Sequence, residues 1–413
     1  MAVLLALGLT GAPATPDSTA PDTQRVVRRF PAVEVSAGRL YDLRSNTSVH
    51  VVTPEALRTL PLGSLAQAIA LQPGVVLVGE ELHVRGGRAG ETQWVTSGLT
   101  LEDPVRGRGP EVPVFAVQRA ELLTGGLDAE YPGTLAGVID VRTLAPTDKP
   151  TAALRWLTSG KRGGAYDWAG GRLAGPLPRT PFGYAVAAET RLEDQGLPGR
   201  HSRGRDGVAG LRFGWRNDNH VLGFGKLALA RDPARLSVEW LGSRVIQAPF
   251  NPMFTVNDSV LIYTLTPPPG ELGTPTADSM NVWYRADDHL PMTESRRHDV
   301  IAQSTRAYGE TRVRVAAGYS RSSAVTSPGL THDWRPIRGD SLRFGDEMDP
   351  RRDPFHAYQG DVPYFHETHA ERWQLAVTST SRPFPNQRLG GGVGLTYEEV
   401  ESLEYDDALR AEG

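Results

Sequence analysis

From residue 151 onward, apolar residues alternate one by one with polar or small residues along several segments. In the segment FGYAVAAETRLED, one set is Phe182, Tyr184, Val186 and Ala188, and the residues between them are small or charged. Successive side chains of a β-strand point to opposite faces of a sheet, so this alternation predicts strands with one apolar and one polar face. A soluble β-sandwich gives the same alternation, and the connections between strands have to decide between the two.

The connections alternate between short turns, such as 231–235 and 308–310, and long loops, such as 245–297. Loops of that length are improbable inside a compact soluble domain. Short turns on one side and long loops on the other are typical of antiparallel outer-membrane β-barrels. For all short turns to lie on one side and all long loops on the other, residues 207–230 must form one long strand. The pattern then predicts nine strands, at 151–160, 164–175, 181–193, 207–230, 235–245, 298–308, 311–324, 370–381 and 388–400.

The beginning of the chain indicates export. An apolar run from Ala2 to Leu9 and the sequence Ala12-Pro13-Ala14 read as the apolar region and cleavage site of a secretory signal at 1–14, although no basic residue precedes them. A disordered apolar start is the alternative. Residues 15–44 are rich in Pro, Asp and Thr and predict a flexible arm. No run of 18 apolar residues indicates a transmembrane helix, and the lack of cysteine fits an oxidising compartment.

Residues 45–145 predict an α+β domain with a mixed four-stranded sheet. Thr53 followed by Pro54 is a favourable helix start, because Thr caps the first turn and Pro suits the first helical position. The expected strands are 49–52, 75–78, 82–85, 93–97, 119–123 and 137–142, with helices beginning near Pro54 and over 64–70, and a helix or loop around Val114.

The segment LHVRGGRAGETQW raises the question of a nucleotide-binding loop. Such a loop needs its glycines to open a helix whose N-terminus faces phosphate, whereas Gly86 and Gly87 are followed by a predicted strand. We therefore expect these glycines to allow a sharp turn between two strands, with Arg85 pointing into a polar cavity.

Three segments, LAQAIALQPGVVL, LHVRGGRAGETQWVTSGLTLEDP and AVQRAELLTGGLDAEYPGTLAGVIDVRT, resemble in this order the plug domain of TonB-dependent outer-membrane receptors. The chain departs from the family in having Ser97 before Gly98, where Asp is usual, and Pro132 directly after Tyr131. The residues that carry the resemblance are Pro73, Gly74, Arg85, Gly86, Gly87, Gly98, Tyr131, Gly133 and Gly137.

The resemblance implies a plug domain at 45–145 followed by antiparallel transmembrane barrel strands at 151–413. It also implies a receptor for energy-coupled uptake, with the plug and arm facing the periplasm, and with outer-membrane lipid, a TonB-type periplasmic protein and an unidentified ligand as partners. Family barrels close with an even strand number, about 22, so nine strands lead us to expect an incomplete barrel from the N-terminal part of a receptor. The upstream segment FPAVEVSAGR resembles the TonB box, with the first plug strand as the alternative, over Ala32, Val33, Glu34, Val35, Ser36 and Ala37.

No residue pattern in the chain indicates catalysis, a cofactor or nucleic-acid binding, and the formal net charge is −4. In FHETHAE, His366 and His369 are three apart, whereas a zinc-protease helix needs a spacing of four. The acidic loop at 339–354 matches no standard calcium loop. A secreted β-rich binding or carbohydrate-active protein is the alternative function. Aromatic residues expected at a membrane interface are Trp156, Trp168, Tyr184, Trp215, Trp240, Trp373 and Tyr397.

Overall fold

A computed structural model of the chain describes the strands, the helices and most of their short connections. The predicted arm, including the TonB-box-like residues 32–37, lies outside the described residues, and of the predicted signal only Val3–Leu5 is described. The described ranges are 3–5, 48–59, 63–78, 81–88, 90–125, 131, 133–158, 166–193, 207–208, 211–212, 218–231, 233–247, 260–266, 276–282, 291–328, 343–344, 357–359, 364–384 and 387–406.

Residues 48–143 form the α+β domain expected from the sequence, which we call the plug. Its helices begin where capping residues predict: the Thr53 hydroxyl accepts a hydrogen bond from the Ala56 amide at 3.3 Å, and Ser64 accepts one from Gln67 at 3.2 Å. After a first short strand β1 (Val3–Leu5), the plug comprises β2 (Ser48–Val52), α1 (Pro54–Thr59), α2 (Leu65–Ala70), β3 (Val75–Val78), β4 (Glu81–Val84), β5 (Thr92–Thr96), β6 (Leu99–Thr100), a 3-10 helix (Val114–Ala116), β7 (Val117–Gly125) and β8 (Gly137–Thr143).

The main plug sheet is mixed, as predicted, but it has five strands and not four. Its order is β2-β7-β8-β5-β6, with β5 and β8 parallel and the other pairs antiparallel, while β3 and β4 form a separate hairpin. The extra strand is the two-residue β6. It forms because Ser97 and Gly98 both have positive φ, 51° and 81°, as a tight two-residue hairpin turn requires.

The second half of the chain forms one antiparallel sheet, which we call the wall. Three small two-stranded hairpins lie between its strands in sequence: β12 (Gly207–Val208) with β13 (Leu211–Arg212), β16 (Val260–Thr266) with β17 (Thr276–Val282), and β20 (Arg343–Phe344) with β21 (Ala357–Gln359). The wall strands are β9 (Thr151–Thr158), β10 (Tyr166–Pro176), β11 (Phe182–Glu193), β14 (Asp218–Arg231), β15 (Ala234–Gln247), β18 (Pro291–Tyr308), β19 (Thr311–Pro328), β22 (Tyr364–Phe384) and β23 (Gln387–Asp406).

Within the described residues the prediction of nine wall strands is confirmed, and each wall strand pairs with the next wall strand along the chain. The prediction that residues 207–230 form one strand is wrong, because the wall strand begins at Asp218, and residues 207–208 and 211–212 pair in the separate β12–β13 hairpin. Several wall strands are longer than predicted, since β18 begins at Pro291 and β22 at Tyr364. In the part of the chain that the structure describes, the sheet is not closed: β1 pairs with β9 at one edge, and β23 forms the other edge.

The wall has an inner face, which meets the plug, and an outer face, which does not. The division of β11 is the predicted one, since Phe182 and Val186 on the outer face are exposed while Ala185 and Ala187 on the inner face are buried. The exposed outer residues of the other strands include Leu154, Trp156, Leu173, Leu227, Leu236, Val238, Trp240, Val315, Trp373, Leu375, Leu395 and Tyr397.

The prediction that Trp168 lies at a membrane interface is wrong. It lies on the inner face, is 2% exposed, and belongs to the core that joins the plug to the wall, together with Phe115, Phe224 and Leu241. Alternation places it there, because it is two residues from the inner-face Gly170. Trp215 lies outside the described residues. Among the helices that the structure describes, none is long and apolar enough to cross a membrane.

Candidate functional site: the contact between plug and wall

The turn between β5 and β6 makes several polar contacts with the wall. The Ser97 hydroxyl donates a hydrogen bond to Oε1 of Glu239 on β15. Oε2 of the same carboxylate accepts one from the hydroxyl of Thr143, at the end of β8, at 2.7 Å. Glu239 is 2% exposed, so two plug hydroxyls satisfy a buried wall carboxylate.

Lys226 on β14 compensates the charge of Glu239. Its Nζ lies 3.0 Å from Glu239 Oε2 and donates to the Thr143 hydroxyl at 3.0 Å. A buried charge is tolerated only when it is paired and hydrogen-bonded. Ser97, Thr143, Lys226 and Glu239 therefore form one satisfied network, which we call the hairpin latch.

Three further wall residues contact the same hairpin. Arg372 Nη1 donates to the Thr100 carbonyl at 3.4 Å. The Gln374 side chain accepts a hydrogen bond from the Thr100 amide at 3.2 Å and donates one to the Thr100 carbonyl at 2.6 Å. It therefore pairs both backbone groups at the sheet edge, as a neighbouring strand would. The Arg314 guanidinium lies against Gly98, where an added Cβ would be 2.8 Å from Arg314 Cζ.

A second contact joins the 3-10 helix of the plug to β10 and β11. Glu189 on β11 accepts hydrogen bonds from the Val114 amide at 2.7 Å and from Trp168 Nε1 at 2.9 Å. The Phe115 and Trp168 rings stack with centroids 6.0 Å apart. Glu189 is buried, so this wall carboxylate receives one donor from the plug, the Val114 amide, and one from the wall, Trp168.

Glu111, just before that helix, faces a charged cluster on the wall. His220 Nδ1 lies 3.8 Å from Glu111 Oε2, His220 Nε2 lies 2.7 Å from Asp218 Oδ1, and Arg191 Nη2 lies 3.5 Å from Asp218 Oδ2. Burial acts to raise the pKa of the Glu111 carboxyl, but the neighbouring His220 and Arg191 outweigh it and lower that pKa below its ordinary value.

The plug loop at 101–110 is folded around Asp103. Its carboxylate accepts hydrogen bonds from the Val105 amide at 2.8 Å and the Arg106 amide at 3.0 Å, an arrangement typical of an Asx turn. Arg106 reaches Ser295 of the wall at 3.4 Å. Burial raises the pKa of the half-buried Glu102 carboxyl, and Arg372 opposes this increase.

Below the hairpin, a cleft of about 2120 Å³ separates the plug sheet from the inner face of the wall. Among the described residues that line it, six side chains are basic and two are acidic, although the chain as a whole has a formal charge of −4. Such a lining attracts anions. The charged lining residues are Arg142, Arg172, Lys226, Arg235, Arg312 and Arg314, with Asp140 and Asp148.

The glycines of the plug motifs lie at turns or at close approaches. Gly87 donates to the Val84 carbonyl at 2.9 Å, and Arg85 and Gly86 have φ of 52° and 77°, so the predicted sharp turn is present. The expectation that Arg85 points into a polar cavity is wrong. Its side chain is exposed, lies near Gly74, and is not among the residues that line the cleft.

The remaining motif residues lie in the same domain. Gly137 begins β8, and an added Cβ there would be 2.9 Å from the Leu123 carbonyl oxygen, so only glycine fits. Gly133 has φ of 79°. Tyr131 packs against a small cluster that includes Val138 and also lines the cleft. Pro73 precedes Gly74, which has φ of 78°, in the connection from α2 to β3.

The two histidines considered for zinc lie on a strand. His366 and His369 are both on β22, where an odd spacing directs them to opposite faces. His366 is hydrogen-bonded to Ser402 at 3.2 Å, and His369 to Glu367 at 3.0 Å. In the part of the chain that the structure describes, no group of three potential metal ligands is found.

Searches of solved structures find chains that match this architecture. The outer membrane transporter YddB from Escherichia coli is 11% identical, with a TM-score of 0.54, covering 86% of this chain and 48% of that one. The alcaligin outer membrane receptor FauA from Bordetella pertussis is 10% identical, with a TM-score of 0.54, covering 89% and 49%. The ferric preacinetobactin receptor BauA from Acinetobacter baumannii is 12% identical, with a TM-score of 0.51, covering 87% and 47%.

This chain has the fold of an outer-membrane receptor, with a plug and part of the barrel wall. It spans between 47% and 60% of the length of such solved structures. No protein-family model matches the sequence, and no curated protein does. The likeness therefore rests on the fold, which the plug motifs and the strand alternation predicted.

Sequence reasoning missed the wall residues that hold the plug in this receptor fold. Glu189, Lys226 and Glu239 lie at inner-face positions of their strands. Their charge on the non-lipid face of alternating strands places them in the barrel interior, but other charged residues, such as Arg191 and Arg235, share that face, so the alternation does not single them out. The same holds for Arg314, between Val313 and Val315, and for Gln374, between Trp373 and Leu375: alternation gives their face but not their partner.

Proposed function

We propose that this chain carries the plug and part of the barrel of a TonB-dependent receptor in the outer membrane, which takes up a ligand with energy supplied from the periplasmic side. The fold shared with outer-membrane receptors and transporters supports this function. The same likeness supports a transport receptor and not an enzyme. The plug and arm face the periplasm in this proposal.

The observation that carries the proposal is the polarity of the wall. Its outer face exposes a continuous set of apolar side chains, including Val238 at 51% and Trp373 at 54%. Its inner face holds buried charges such as Glu189, Glu239 and Asp299. A soluble protein rarely exposes a contiguous apolar face of this size, so the arrangement favours lipid contact over the secreted β-rich alternative.

The proposed partner on the periplasmic side is a TonB-type protein that adds a strand to residues 32–37. β-Augmentation uses main-chain hydrogen bonds and needs an extended, accessible segment. The position of these residues ahead of the first plug strand β2 suits such a connection, because tension on the arm would act directly on the plug.

Adjacent substitutions on opposite faces of β15 test the membrane assignment. Val238 is on the outer face and Ser237 is on the inner face, beside the cleft. We expect Val238→Asp to disfavour the membrane-assembled state by up to about 2 kcal/mol, and Ser237→Asp to leave it unchanged. Heat-modifiable migration on gels and extraction by detergent report assembly. The proposal is contradicted if both variants lose membrane assembly equally, or if the wild type is released from membranes without detergent.

Proline substitutions in the arm test the partner. Proline cannot donate to a strand ladder, so Val35→Pro abolishes capture of the chain by the purified periplasmic domain of a TonB-type protein. Ser18→Pro, in the same arm but outside the box, leaves capture intact. Deletion of residues 32–37 abolishes energised uptake and leaves surface binding of the ligand unchanged. Capture that survives Val35→Pro removes the box from the mechanism.

A further inference from the structure

A small cavity lies within the plug, beside β5. Thr92 and Trp94 line this cavity, whereas Gln93 and Val95 line the cleft, so the two spaces are on opposite faces of the strand. The volume of the cavity is about 20 Å³. Among the described residues, those that line it all belong to the plug: Glu81, Leu82, Gly90, Thr92, Trp94, Gly107, Arg108 and Gly109.

Thr92 is a buried polar residue at this cavity. It is 2% exposed, and within the described part of the chain its hydroxyl has no hydrogen-bond partner. A buried hydroxyl without a hydrogen bond is destabilising, and most buried polar groups in proteins are bonded to another protein group or to an ordered water. The cavity is the space from which such a partner can reach Thr92.

The loop at 101–110 contributes backbone to the lining. Gly109 lies on the Trp94 ring, where an added Cβ would be 2.2 Å from Trp94 Cδ2, and a Cβ at Gly90 would be 3.5 Å from Gly107 Cα. Glycine has only backbone atoms, so Gly90, Gly107 and Gly109 line the cavity with their amide, Cα or carbonyl atoms. The backbone groups among these can bond to a small polar molecule.

The rest of the lining is partly charged and partly apolar. Arg108 Nη2 lies 3.6 Å from Glu81 Oε1, and both side chains are about one-third exposed. Leu82 and Trp94, which are both buried, supply the apolar part. Cavities that stay dry in proteins are lined by apolar side chains, whereas polar cavities of sufficient size hold water. The mixed lining therefore favours a bound water.

We propose that this cavity binds one ordered water molecule, which bridges the Thr92 hydroxyl and the backbone of the loop at 101–110. A cavity of about 10–15 Å³ is enough for one water, so this one accommodates a single molecule. Buried waters make about three hydrogen bonds, and the Thr92 hydroxyl and the glycine backbone provide groups for them. The inference does not depend on the membrane location of the wall.

The water ties the plug sheet to a loop that contacts the wall. Within this loop, the Gly107 amide donates to the Asp103 carbonyl at 2.7 Å, and Arg106 donates to Ser295 of β18 at 3.4 Å. A water-mediated bridge is nearly as favourable as a direct hydrogen bond. The site therefore holds the loop on β5 while Arg106 holds it to the wall.

The test uses the full chain in detergent and X-ray footprinting with water enriched in heavy oxygen. Irradiation converts water next to a side chain into hydroxyl radicals, which label that side chain with the oxygen of the water. The chain is mixed with the heavy water and irradiated after increasing delays. A bound water exchanges slowly, so the buried Leu82 and Trp94, which line the cavity, acquire heavy oxygen later than exposed side chains do.

Two valine substitutions form a matched pair. Thr92→Val replaces the hydroxyl by a methyl group with little change in shape. Thr96→Val does the same on the same face of β5, where Thr96 is 1% exposed, its hydroxyl also has no partner among the described residues, and it does not line the cavity. Thr92→Ser keeps the hydroxyl at the cavity.

We expect delayed labelling of Leu82 and Trp94 in the wild type, in Thr96→Val and in Thr92→Ser, and its loss in Thr92→Val. The two valine variants also shift the midpoint of denaturant unfolding in opposite directions. Thr96→Val raises the midpoint, because it removes a buried hydroxyl without a hydrogen bond. Thr92→Val lowers it, because a methyl group does not reproduce the hydrogen bond to the water.

Three results overturn the inference. The first is labelling of Leu82 and Trp94 in the wild type that is absent or follows the solvent without delay, which requires no variant. The second is delayed labelling that persists in Thr92→Val. The third is an equal rise of the unfolding midpoint in both valine variants, which shows that the Thr92 hydroxyl has no bound partner.

Discussion

For the replacement of Ser97 by Asp in the hairpin latch, the backbone preference of the turn and the side-chain contacts of residue 97 predict opposite effects on stability. Ser97 has φ of 51°, and Asp tolerates this left-handed conformation better than most residues. Asp is also the residue usual in the family that the plug resembles. Local preference therefore predicts that Ser97→Asp stabilises the turn.

The contacts of Ser97 predict the reverse. Its hydroxyl donates to Glu239, which is 2% exposed, and an Asp there would put two carboxylates in contact. At about 3 Å and an effective dielectric constant of about 20, two unit charges repel by roughly 5 kcal/mol. Lys226, 3.0 Å from Glu239, offsets part of this. We expect a net loss of about 3–4 kcal/mol, compared with about 1–1.5 kcal/mol for Ser97→Ala, which removes only one hydrogen bond.

A double-mutant cycle isolates the interaction. In Ser97→Asp with Glu239→Gln, the amide donates to the new carboxylate, so the donor and acceptor exchange places. We expect the double variant to be more stable than Ser97→Asp alone, with a coupling energy of at least about 2 kcal/mol. Denaturant unfolding followed by tryptophan fluorescence gives the free energies, and hydrogen exchange of residues 92–100 shows whether the loss is at the hairpin. The reasoning is refuted if Ser97→Asp matches the wild type, or if the double variant is the least stable.

Three further substitutions test other parts of the plug. Gly98→Ala destabilises the chain by about 1–3 kcal/mol, because φ at Gly98 is 81° and the new Cβ would meet Arg314. When Arg314→Ala is added, denaturant unfolding shows that only the part of the loss due to the Arg314 clash is recovered, and the part due to the backbone conformation remains. Gln374→Leu removes the side-chain partner of the Thr100 amide and leaves the Thr100 carbonyl with only the longer hydrogen bond from Arg372 at 3.4 Å. We expect a cost of about 1–3 kcal/mol. Unchanged hydrogen exchange of the Thr100 amide contradicts this. Glu102→Gln stabilises the chain at neutral pH by at most about 1 kcal/mol, because burial raises the folded-state pKa of Glu102 and so makes its ionised form unfavourable. Below about pH 4 the carboxyl is protonated in both the folded and the unfolded state, so the stabilisation disappears. A difference in thermal unfolding between the variant and the wild type that persists there opposes this explanation.

The elements of the fold were predictable because their signals are local. The Thr53 cap, the turn at Arg85-Gly86 and the alternation in β11 each depend on residues within a few positions of one another. The short β6 was not predicted, since a two-residue strand has no period to detect. The single strand expected over residues 207–230 failed for a related reason: alternation alone does not show which neighbour a strand pairs with.

The candidate site was predictable only in its glycines. Gly98 was among the motif residues, but the contacts of its hairpin lie far along the chain: Ser97 and Glu239 are 142 positions apart, and Thr100 and Gln374 are 274 apart. No local pattern links such pairs. Trp168 was assigned to the wrong face because an aromatic residue near a strand end suits both a lipid interface and a core.

The strictly sequential order of the wall has a consequence for how the molecule is built. Each wall strand pairs with the next one in the chain, so the wall can form by local hairpin closure, which has a low entropic cost. The β5–β6 hairpin of the plug, in contrast, depends on distant residues. It is synthesised early, but its partner Glu239 belongs to the fifth wall strand and its partner Gln374 to the eighth. Until those strands are in place, Ser97 and Thr100 stay bonded to water. The segment that comes early in the chain is thus the one whose structure is completed late, and its docking depends on the progress of the wall.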